Sequence, residues 1–493
     1  MNRMDGLNLP KMITMPLCDR TVTSEVSGEY TLPDYQPEIR RLLFVEPVVL
    51  PPAKYIGGAN AEFNGTVEYQ MTYVGADGGL YTAPLSGEYG FSVPLEQVGD
   101  FDLNEGVVAM ATTVCENLTT RVSAPRRLSI RCRLRSHARA YGRMPMEETY
   151  GGMAEPEGVQ RLWGEAQNMR IVSGVSDRVN LSEEVSVTAE DSRVISADAT
   201  AFVSDVRPAD GTVGAVGELM LRMMIGREDG SVEQLTRRLP FEGEVELEEM
   251  TADALCRVSG VVSDLTVNVE EGRILCDIGL LLEARGMCND SLRYTADLYS
   301  TDRVCDCEFR EYALPVALKC ENGNVSQSER IPLSQINFPE GASIADVRGS
   351  VRFDGCAAAD GKYVLTGESR YLLLCQRDGE YSVTELTLPL RYETEGVKGE
   401  PVCFDALGDV ISCRARVDGE NLNLDAELSV VADFSGVEPI RALSEARFGE
   451  KYDCRGNRIV VYYPTPDDTA WSVAKKYHVP SDRITQVGAY FLL

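Results

Sequence analysis

Residues 128–141 read LSIRCRLRSHARAY, and apolar residues occupy almost every second position. The apolar members are Leu128, Ile130, Cys132, Leu134, Ala138 and Ala140. A period of two over more than ten residues is typical of a long β-strand with one buried face, because successive side chains of a strand point to opposite sides. The pattern recurs in ILCDIGLLLEARGM (274–287) and LNLDAELSVVADF (422–434), which predicts three equivalent long strands.

A second signature repeats at the same spacing. FNGTVEYQMTYVGADGGL (63–80), AVGELMLRMMIGREDGSV (215–232) and LTGESRYLLLCQRDGEY (365–381) each contain a glycine, an apolar run and then Asp-Gly. Asp-Gly between two such runs predicts a tight hairpin, because the turn needs positive φ. The leading glycines, Gly65, Gly217 and Gly367, lie about 150 residues apart. The sequence therefore predicts a mainly β fold, with three tandem antiparallel repeats of sandwich or barrel type and a small, shortened α+β tail.

The repeats divide the chain into six parts. These are a first repeat at 1–145, a linker at 146–178, a second repeat at 179–300, a third repeat at 301–436, a linker at 437–457 and the tail at 458–493. Each repeat is long enough to bury its own core, so we expect it to fold separately. In the first repeat, Pro37 and Glu38 precede apolar residues at helical spacing, which predicts a short helix there.

The chain is strongly acidic, with 77 acidic against 48 basic residues and a net charge of −29. This excess disfavours nucleic acid as a partner and favours electrostatic selection among protein partners. The apolar runs, such as YLLLC (371–375), are much shorter than the roughly 20 residues of a membrane span, and the N-terminal stretch lacks the apolar core of a secretory signal. We therefore expect an intracellular protein without a transmembrane segment, whose 14 cysteines are reduced.

Motifs for catalysis are missing from the sequence. Its two histidines, His137 and His478, lie in different parts of the chain, and neither neighbours an obvious serine or cysteine nucleophile. Cys305 and Cys307 would share one face of a strand, but no second cysteine or histidine pair stands nearby, so simple packing is favoured over a metal site. We therefore expect a non-catalytic protein that uses neither a cofactor nor a metal.

An arginine row, Arg131, Arg133, Arg135 and Arg139, contrasts with this acidic chain. One interpretation is a solvated strand face that pairs with acidic strands of a neighbouring repeat. The other is an electropositive surface on which an acidic partner docks. The matching positions of the third repeat are Asn423, Asp425, Glu427 and Asp433, so contact between the two faces would be favourable within or between molecules.

TLPDYQPEI (31–39) followed by NGTVEYQMTYV (64–74) resembles the SPOCS domain, a β-rich domain of spore-forming Firmicutes. The first repeat resembles it best, and the others are identified by their register with the first. VVYYPTPDDTAWSVAKKYHV (460–479) resembles the start of a LysM module. This domain order resembles that of spore-coat morphogenesis proteins. It implies a scaffold in the mother-cell cytoplasm, at the developing spore surface. Such a scaffold binds the coat ATPase SpoIVA or its counterpart through the tail, together with other coat proteins, and promotes encasement of the forespore.

The LysM resemblance assigns roles within the tail. Thr469 would cap the helix, and Trp471, Val473, Ala474 and Tyr477 would build the small core. The implied partner contacts are Asp468, Thr469, Trp471, Lys475 and Tyr477. In LysM modules the glycan groove lies between the first loop and the second half, which is compressed here into PSDRITQVGAYFLL (480–493). This favours protein docking, and the alternative is a module that binds peptidoglycan or N-acetylglucosamine.

Overall fold

The computed structural model describes residues 11–103, 105–150, 156–186, 193–227, 232–270, 272–397, 399–452, 460–487 and 490–492. The protein is about 78% strand and 3% helix, which confirms the predicted mainly β fold with a small helical tail. The described residues contain no helix with the length and apolar character that a bilayer crossing requires.

Three β-units precede the tail, and each combines two antiparallel sheets. Unit 1 consists of β1 (Met12–Thr31), β2 (Ile39–Val49), β3 (Ala53–Gly57), β4 (Asn60–Gly75), β5 (Leu80–Pro94), β6 (Val107–Ala124) and β7 (Arg127–Pro145). Unit 2 consists of β8 (Val159–Val175), β9 (Val179–Ser186), β10 (Arg193–Ala209), β11 (Thr212–Gly226), β12 (Val232–Glu246), β13 (Leu255–Glu270) and β14 (Arg273–Ser300). Unit 3 consists of β15 (Arg303–Pro332), β16 (Ser343–Ala359), β17 (Lys362–Arg377), β18 (Glu380–Glu395), β19 (Cys403–Asp418) and β20 (Asn421–Lys451).

The strand pairing is the same in all three units. The first strand pairs with the last, and the last pairs with the strand before it, in the sheets β1-β7-β6, β8-β14-β13 and β15-β20-β19. β9 continues the path of β8 along β14. The second sheet is a meander, β2 to β5, β10 to β12 or β16 to β18. The three predicted alternating stretches lie on β7, β14 and β20, the central strands of the first sheets.

Each unit has its own hydrophobic core between its two sheets. The alternating apolar residues of β7 supply one wall of the core of unit 1, where Leu128, Ile130, Cys132 and Leu134 are at most 1% exposed. Further apolar clusters join the units to one another. One of them contains Met110 and Tyr141 of unit 1, Met169 and Met287 of unit 2, and Ala317 of unit 3. Each unit therefore has its own hydrophobic core, and apolar contacts also hold the three units together.

The repeated glycines allow strands to approach closely. A Cβ atom at Gly217 would lie 2.2 Å from the carbonyl oxygen of Phe202, and one at Gly367 would lie 2.0 Å from that of Arg352. At Gly65 the Tyr89 ring covers the glycine, and a Cβ atom would lie 2.6 Å from it. Glycine recurs at this position because any side chain would clash with these neighbours.

The predicted Asp-Gly turns are confirmed in two units. Asp77-Gly78 connects β4 to β5, and Asp378-Gly379 connects β17 to β18. Asp378 and Gly379 both have positive φ, 49° and 79°, as a tight turn between two strands requires. Asp229-Gly230 of unit 2 lies outside the described residues.

Three predicted segments differ from the structure. The predicted helix after Pro37 is wrong, because residues 39–49 form β2 and pair with β4. The predicted linker at 146–178 contains β8, which pairs with β14. The predicted linker at 437–457 begins as the second half of β20, paired with the start of β15. In each case pairing with a strand distant in sequence outweighs the local pattern.

Candidate functional site

The tail is a compact module of five short elements. They are β21 (Val461–Tyr462), α1 (Ala470–Tyr477), a 3-10 turn (Ser481–Arg483), β22 (Thr485–Val487) and β23 (Tyr490–Leu492). β23 lies between β21 and β22 in one antiparallel sheet. Between α1 and β22 the described residues form one 3-10 turn and no second α-helix.

Two of the predicted contact residues organise the start of α1. Thr469 caps the helix as predicted, since its Oγ1 accepts a hydrogen bond from the Ser472 backbone N–H at 3.1 Å. Ser472 Oγ returns the interaction by accepting from the Thr469 N–H at 2.9 Å. Asp468 accepts hydrogen bonds from the Thr465 N–H and from the Tyr462 hydroxyl at 2.8 and 2.9 Å. Both residues therefore hold the loop and helix of the module in place.

Trp471 and Lys475 face the β-units. They lie one helical turn apart, so their side chains project from the same side of α1. Trp471 Nε1 donates a hydrogen bond to Asp297 Oδ2 at 2.8 Å, and Lys475 Nζ lies 2.6 Å from Asp297 Oδ1. The Trp471 ring also meets Tyr299 edge to face, with centroids 4.9 Å apart. One carboxylate near the end of β14 thus holds two residues of the tail helix.

Two more contacts complete this attachment. Tyr299 donates its hydroxyl hydrogen to the Val479 carbonyl oxygen at 2.7 Å. Gln160 Oε1, on β8, accepts from the Ser481 N–H at 3.3 Å. We call Gln160, Asp297 and Tyr299 the seat of the module. All three belong to unit 2, at the end of the sheet where β8 and β14 pair.

The predicted core of the module is correct only in part. Val473 and Ala474 are fully buried. Trp471, however, packs on the seat, and Tyr477 is 37% exposed. A helix of two turns has room for few inward positions, and the seat provides the surface that buries Trp471.

The tail module also carries four described tyrosines, of which Tyr463 and Tyr477 are exposed. Tyr463 is 72% exposed, and its ring lies 5.8 Å from that of the partly buried Tyr490. Tyr477 meets the Tyr462 ring edge to face at 5.8 Å. Lys476 Nζ lies 5.1 Å from the Tyr462 ring centre, within reach of a cation–π contact. We call Tyr463, Tyr477 and Tyr490 the tail tyrosines.

The arginine row runs from solvent into the interface between units 1 and 3. Arg131 and Arg133 are exposed and pair with Glu25 and Glu116 of their own unit at 3.2 and 3.0 Å. Arg135 reaches Asp354 of unit 3 at 3.2 Å. The fourth member, Arg139, is completely buried between the units. The contact between units that the sequence predicted as favourable is therefore present at the inner end of the row.

Arg139 belongs to a buried ion cluster shared by all three units. Its guanidinium lies 2.6 Å from Asp405 and 2.7 Å from Asp433, both in unit 3. Arg285 of unit 2 lies 2.6 Å from Asp405, and Arg257 lies 2.7 Å from Asp433. These five side chains are at most 3% exposed. Three arginines thus meet two aspartates in the interior.

The residues of this ion cluster occupy equivalent positions in the three repeats. Arg139, Arg285 and Asp433 each stand directly after an alanine of the alternating pattern, on the central strand of the first sheet. Their partners on the neighbouring strands, Met110, Arg257 and Asp405, are also equivalent. The same position of the fold therefore carries opposite charges in different units.

The pKa values of the ionisable groups in this region reflect their burial and the charges of neighbouring side chains. Burial alone would raise the pKa of Asp405, but Arg139, a hydrogen bond from His137 and Arg285 hold it well below its usual range. Burial alone would lower the pKa of His137, but hydrogen bonds to Asp19 and Asp405 raise it to about 12. For Arg257, burial and the nearby Arg285 together lower the pKa.

A second polar cluster joins the meander sheets. Arg348 of unit 3 lies 2.9 Å from Glu46 of unit 1 and 3.6 Å from Asp198 of unit 2. It also donates to Ser196 Oγ at 3.0 Å. Arg348 is 5% exposed, so this contact is again interior. Neither cluster was predicted from the sequence. The signal for the first cluster is the reversal of charge at equivalent positions of the repeats, such as Arg139 and Asp433.

Comparison with known proteins identifies one part of the chain. Residues 192–270 match a family model described as SipL, SPOCS domain. The matched stretch extends over β10 to β13 of unit 2, whereas the resemblance predicted from the sequence was strongest in unit 1. No curated protein matches the chain. The stretch that matches the SPOCS domain of this family model therefore lies in the second of the three β-units.

Proposed function

We propose that this protein is a non-catalytic scaffold of spore coat morphogenesis, and that its tail module binds the coat ATPase SpoIVA or its counterpart. The SPOCS match indicates a role in sporulation and the spore coat. The proposed place of action is the developing spore surface in the mother-cell cytoplasm, where such a scaffold promotes encasement of the forespore.

The observation that carries the proposal is the orientation of the tail module. Its helix turns Trp471 and Lys475 toward the seat, while two of the tail tyrosines, Tyr463 and Tyr477, remain 72% and 37% exposed. Tyrosine is enriched at protein interfaces, because its ring buries a large area while its hydroxyl remains able to form hydrogen bonds. A module held by several contacts presents these tyrosines with little orientational freedom left to lose on binding.

This orientation assigns different roles to the five predicted contact residues. Asp468 and Thr469 shape the module, and Trp471 and Lys475 hold it on unit 2. Tyr477 alone among them belongs to the tail tyrosines, and it is 37% exposed. We therefore place the partner contact at Tyr463, Tyr477 and Tyr490.

The test is a binding measurement between the purified full-length protein and the purified ATPase. Tyr463→Ala and Tyr477→Ala should each weaken binding at least tenfold and leave the circular dichroism spectrum unchanged. The matched control is Tyr55→Ala, since Tyr55 is an exposed tyrosine of unit 1, 65% accessible. It should bind as the parent protein does.

Two outcomes would contradict the proposal. One is unchanged affinity of both tail variants for the ATPase. The other is tight binding of chitin oligomers without affinity for the ATPase, which would support the glycan-binding alternative instead.

A further inference from the structure

Three potential metal ligands meet where unit 1 touches unit 3. Asp19 on β1, His137 on β7 and Cys403 at the start of β19 bring their ligand atoms within 4.8 Å of one another. The His137 Nε2 atom lies 2.7 Å from Asp19 Oδ1. Carboxylate oxygen, imidazole nitrogen and thiolate sulfur are all ligands of Zn²⁺. No two of these residues are close in sequence, so only the fold brings them together.

The imidazole is already oriented for such a role. Its other nitrogen, Nδ1, lies 2.6 Å from Asp405 Oδ1, and Asp405 is held in turn by Arg139 and Arg285. A carboxylate bound to the far nitrogen of a ligating histidine fixes the ring and makes it a better donor. Asp405 is 3% exposed, so the carboxylate that orients the imidazole is shielded from water.

The three residues line a cavity of about 260 Å³ that opens to the surface and is also bounded by Thr21, Thr112, Arg135 and Phe404. A cation could enter there, and water could complete a fourth coordination position. Zinc–ligand bonds of about 2.0–2.3 Å place tetrahedral ligands roughly 3.3–3.7 Å apart, so small side-chain movements would suffice.

We propose that Asp19, His137 and Cys403 form a Zn²⁺ site that fastens unit 1 to unit 3. Zn²⁺ would bind Asp19 Oδ1, His137 Nε2 and Cys403 Sγ, with water as the fourth ligand.

Zn²⁺ ligation uses a thiolate at Cys403 and a neutral imidazole at His137, so metal binding releases the protons that these two groups carry. The two charges of the ion would be offset by the Asp19 carboxylate and the Cys403 thiolate. The nearby Arg139, 3.7 Å from Cys403 Sγ, is neutralised by Asp405 and Asp433.

The test is titration of the reduced full-length protein with Co²⁺ and Zn²⁺. We expect one Co²⁺ per chain with a near-ultraviolet charge-transfer band from a thiolate ligand, which Zn²⁺ abolishes by displacement. Cys403→Ser should lose the band. Asp19→Asn should weaken Co²⁺ binding at least tenfold, and this second variant changes a side chain that is 52% exposed.

Controls separate this site from other thiols. Cys356→Ser, at a partly buried cysteine of unit 3, should titrate as the parent protein does. The double change of Cys305 and Cys307 to serine should also leave the band intact, although their sulfur atoms lie 3.4 Å apart. Absence of stoichiometric binding, a band that survives in Cys403→Ser, or a band lost in the Cys305/Cys307 variant would overturn the proposal.

Discussion

Arg139 of unit 1 and Asp433 of unit 3 form an ion pair of 2.7 Å in which neither side chain is more than 1% exposed. The two residues occupy the same position of the internal repeat. Duplicated units that kept one residue at this position would bring like charges together. The opposite charges instead allow the three units to meet, because buried charges are tolerated only when they are paired.

Asp433→Asn should be strongly destabilising. Asp405 would then be the only buried aspartate left among three buried arginines, and Arg257 would lose its 2.7 Å partner. Removing one partner from a buried ion pair typically costs about 3–5 kcal/mol. Urea denaturation measures the loss. The control is Asp425→Asn on the same strand, where an exposed carboxylate should matter by less than about 0.5 kcal/mol. Equal midpoints for the two variants would contradict the role of the cluster.

Arg257→Met should cost little or should stabilise the protein. Arg257 is the surplus charge, since its Nη1 has no hydrogen-bond partner among the described residues and burial with Arg285 lowers its pKa. Unit 1 already has Met110 at the equivalent place. Replacing buried ions by apolar residues of similar size is often neutral or favourable. A loss as large as that of Asp433→Asn, in the same urea experiment, would show that Arg257 is needed for charge balance.

The contribution of His137 to the free energy of unfolding should become smaller as the pH rises. Its folded-state pKa, raised to about 12, lies above the value of about 6.5 in an unfolded chain. Its contribution is therefore complete below about pH 6.5 and declines as the pH rises toward 12. We expect the difference in unfolding free energy between the parent protein and His137→Gln to shrink from pH 6 to pH 9. Parallel curves, measured without added metal, would exclude this effect.

Asp297→Ala should release the tail from its seat. The substitution removes the partner of both Trp471 and Lys475, while the helix keeps its cap at Thr469. In a Trp163→Phe background, fluorescence reports on Trp471, the other of the two tryptophans. We expect a shift of its emission to longer wavelength. Asp277→Ala, at an exposed aspartate on the same strand, should leave the spectrum unchanged. An unshifted spectrum for Asp297→Ala would mean that the seat does not hold the module.

Unit 1 should fold alone only if β1 is complete. Ile13 and Leu17 are at most 1% exposed, and β1 pairs with β7 along nearly its whole length. A fragment of residues 11–146 should therefore unfold cooperatively in circular dichroism, whereas residues 20–145 should not. The fragment should be less stable than the full chain, because Met110 and Arg139 lose their partners in the other units. Cooperative unfolding of the shorter fragment would show that the first half of β1 is dispensable.

The internal repeat, the long central strands and the Asp-Gly turns were predictable from the sequence. The reason is that these features depend on neighbours within a few residues. Alternation from Leu128 to Ala140 reports a strand with one buried face, and Asp378-Gly379 reports a backbone that must turn with positive φ. Thr469 as a helix cap belongs to the same class, since the capped N–H lies three residues away.

Contacts between distant segments were decided only by the tertiary structure. Trp471 reads as a core residue of its own helix, yet its partner Asp297 lies 174 positions earlier in the chain. Arg139 reads as the end of a basic surface row, yet its partners are 266 and 294 residues away. Local sequence determines which face of a strand or helix is apolar or charged. Which surface covers that face depends on how whole units pack, and that packing is settled by the burial and pairing of all their side chains together.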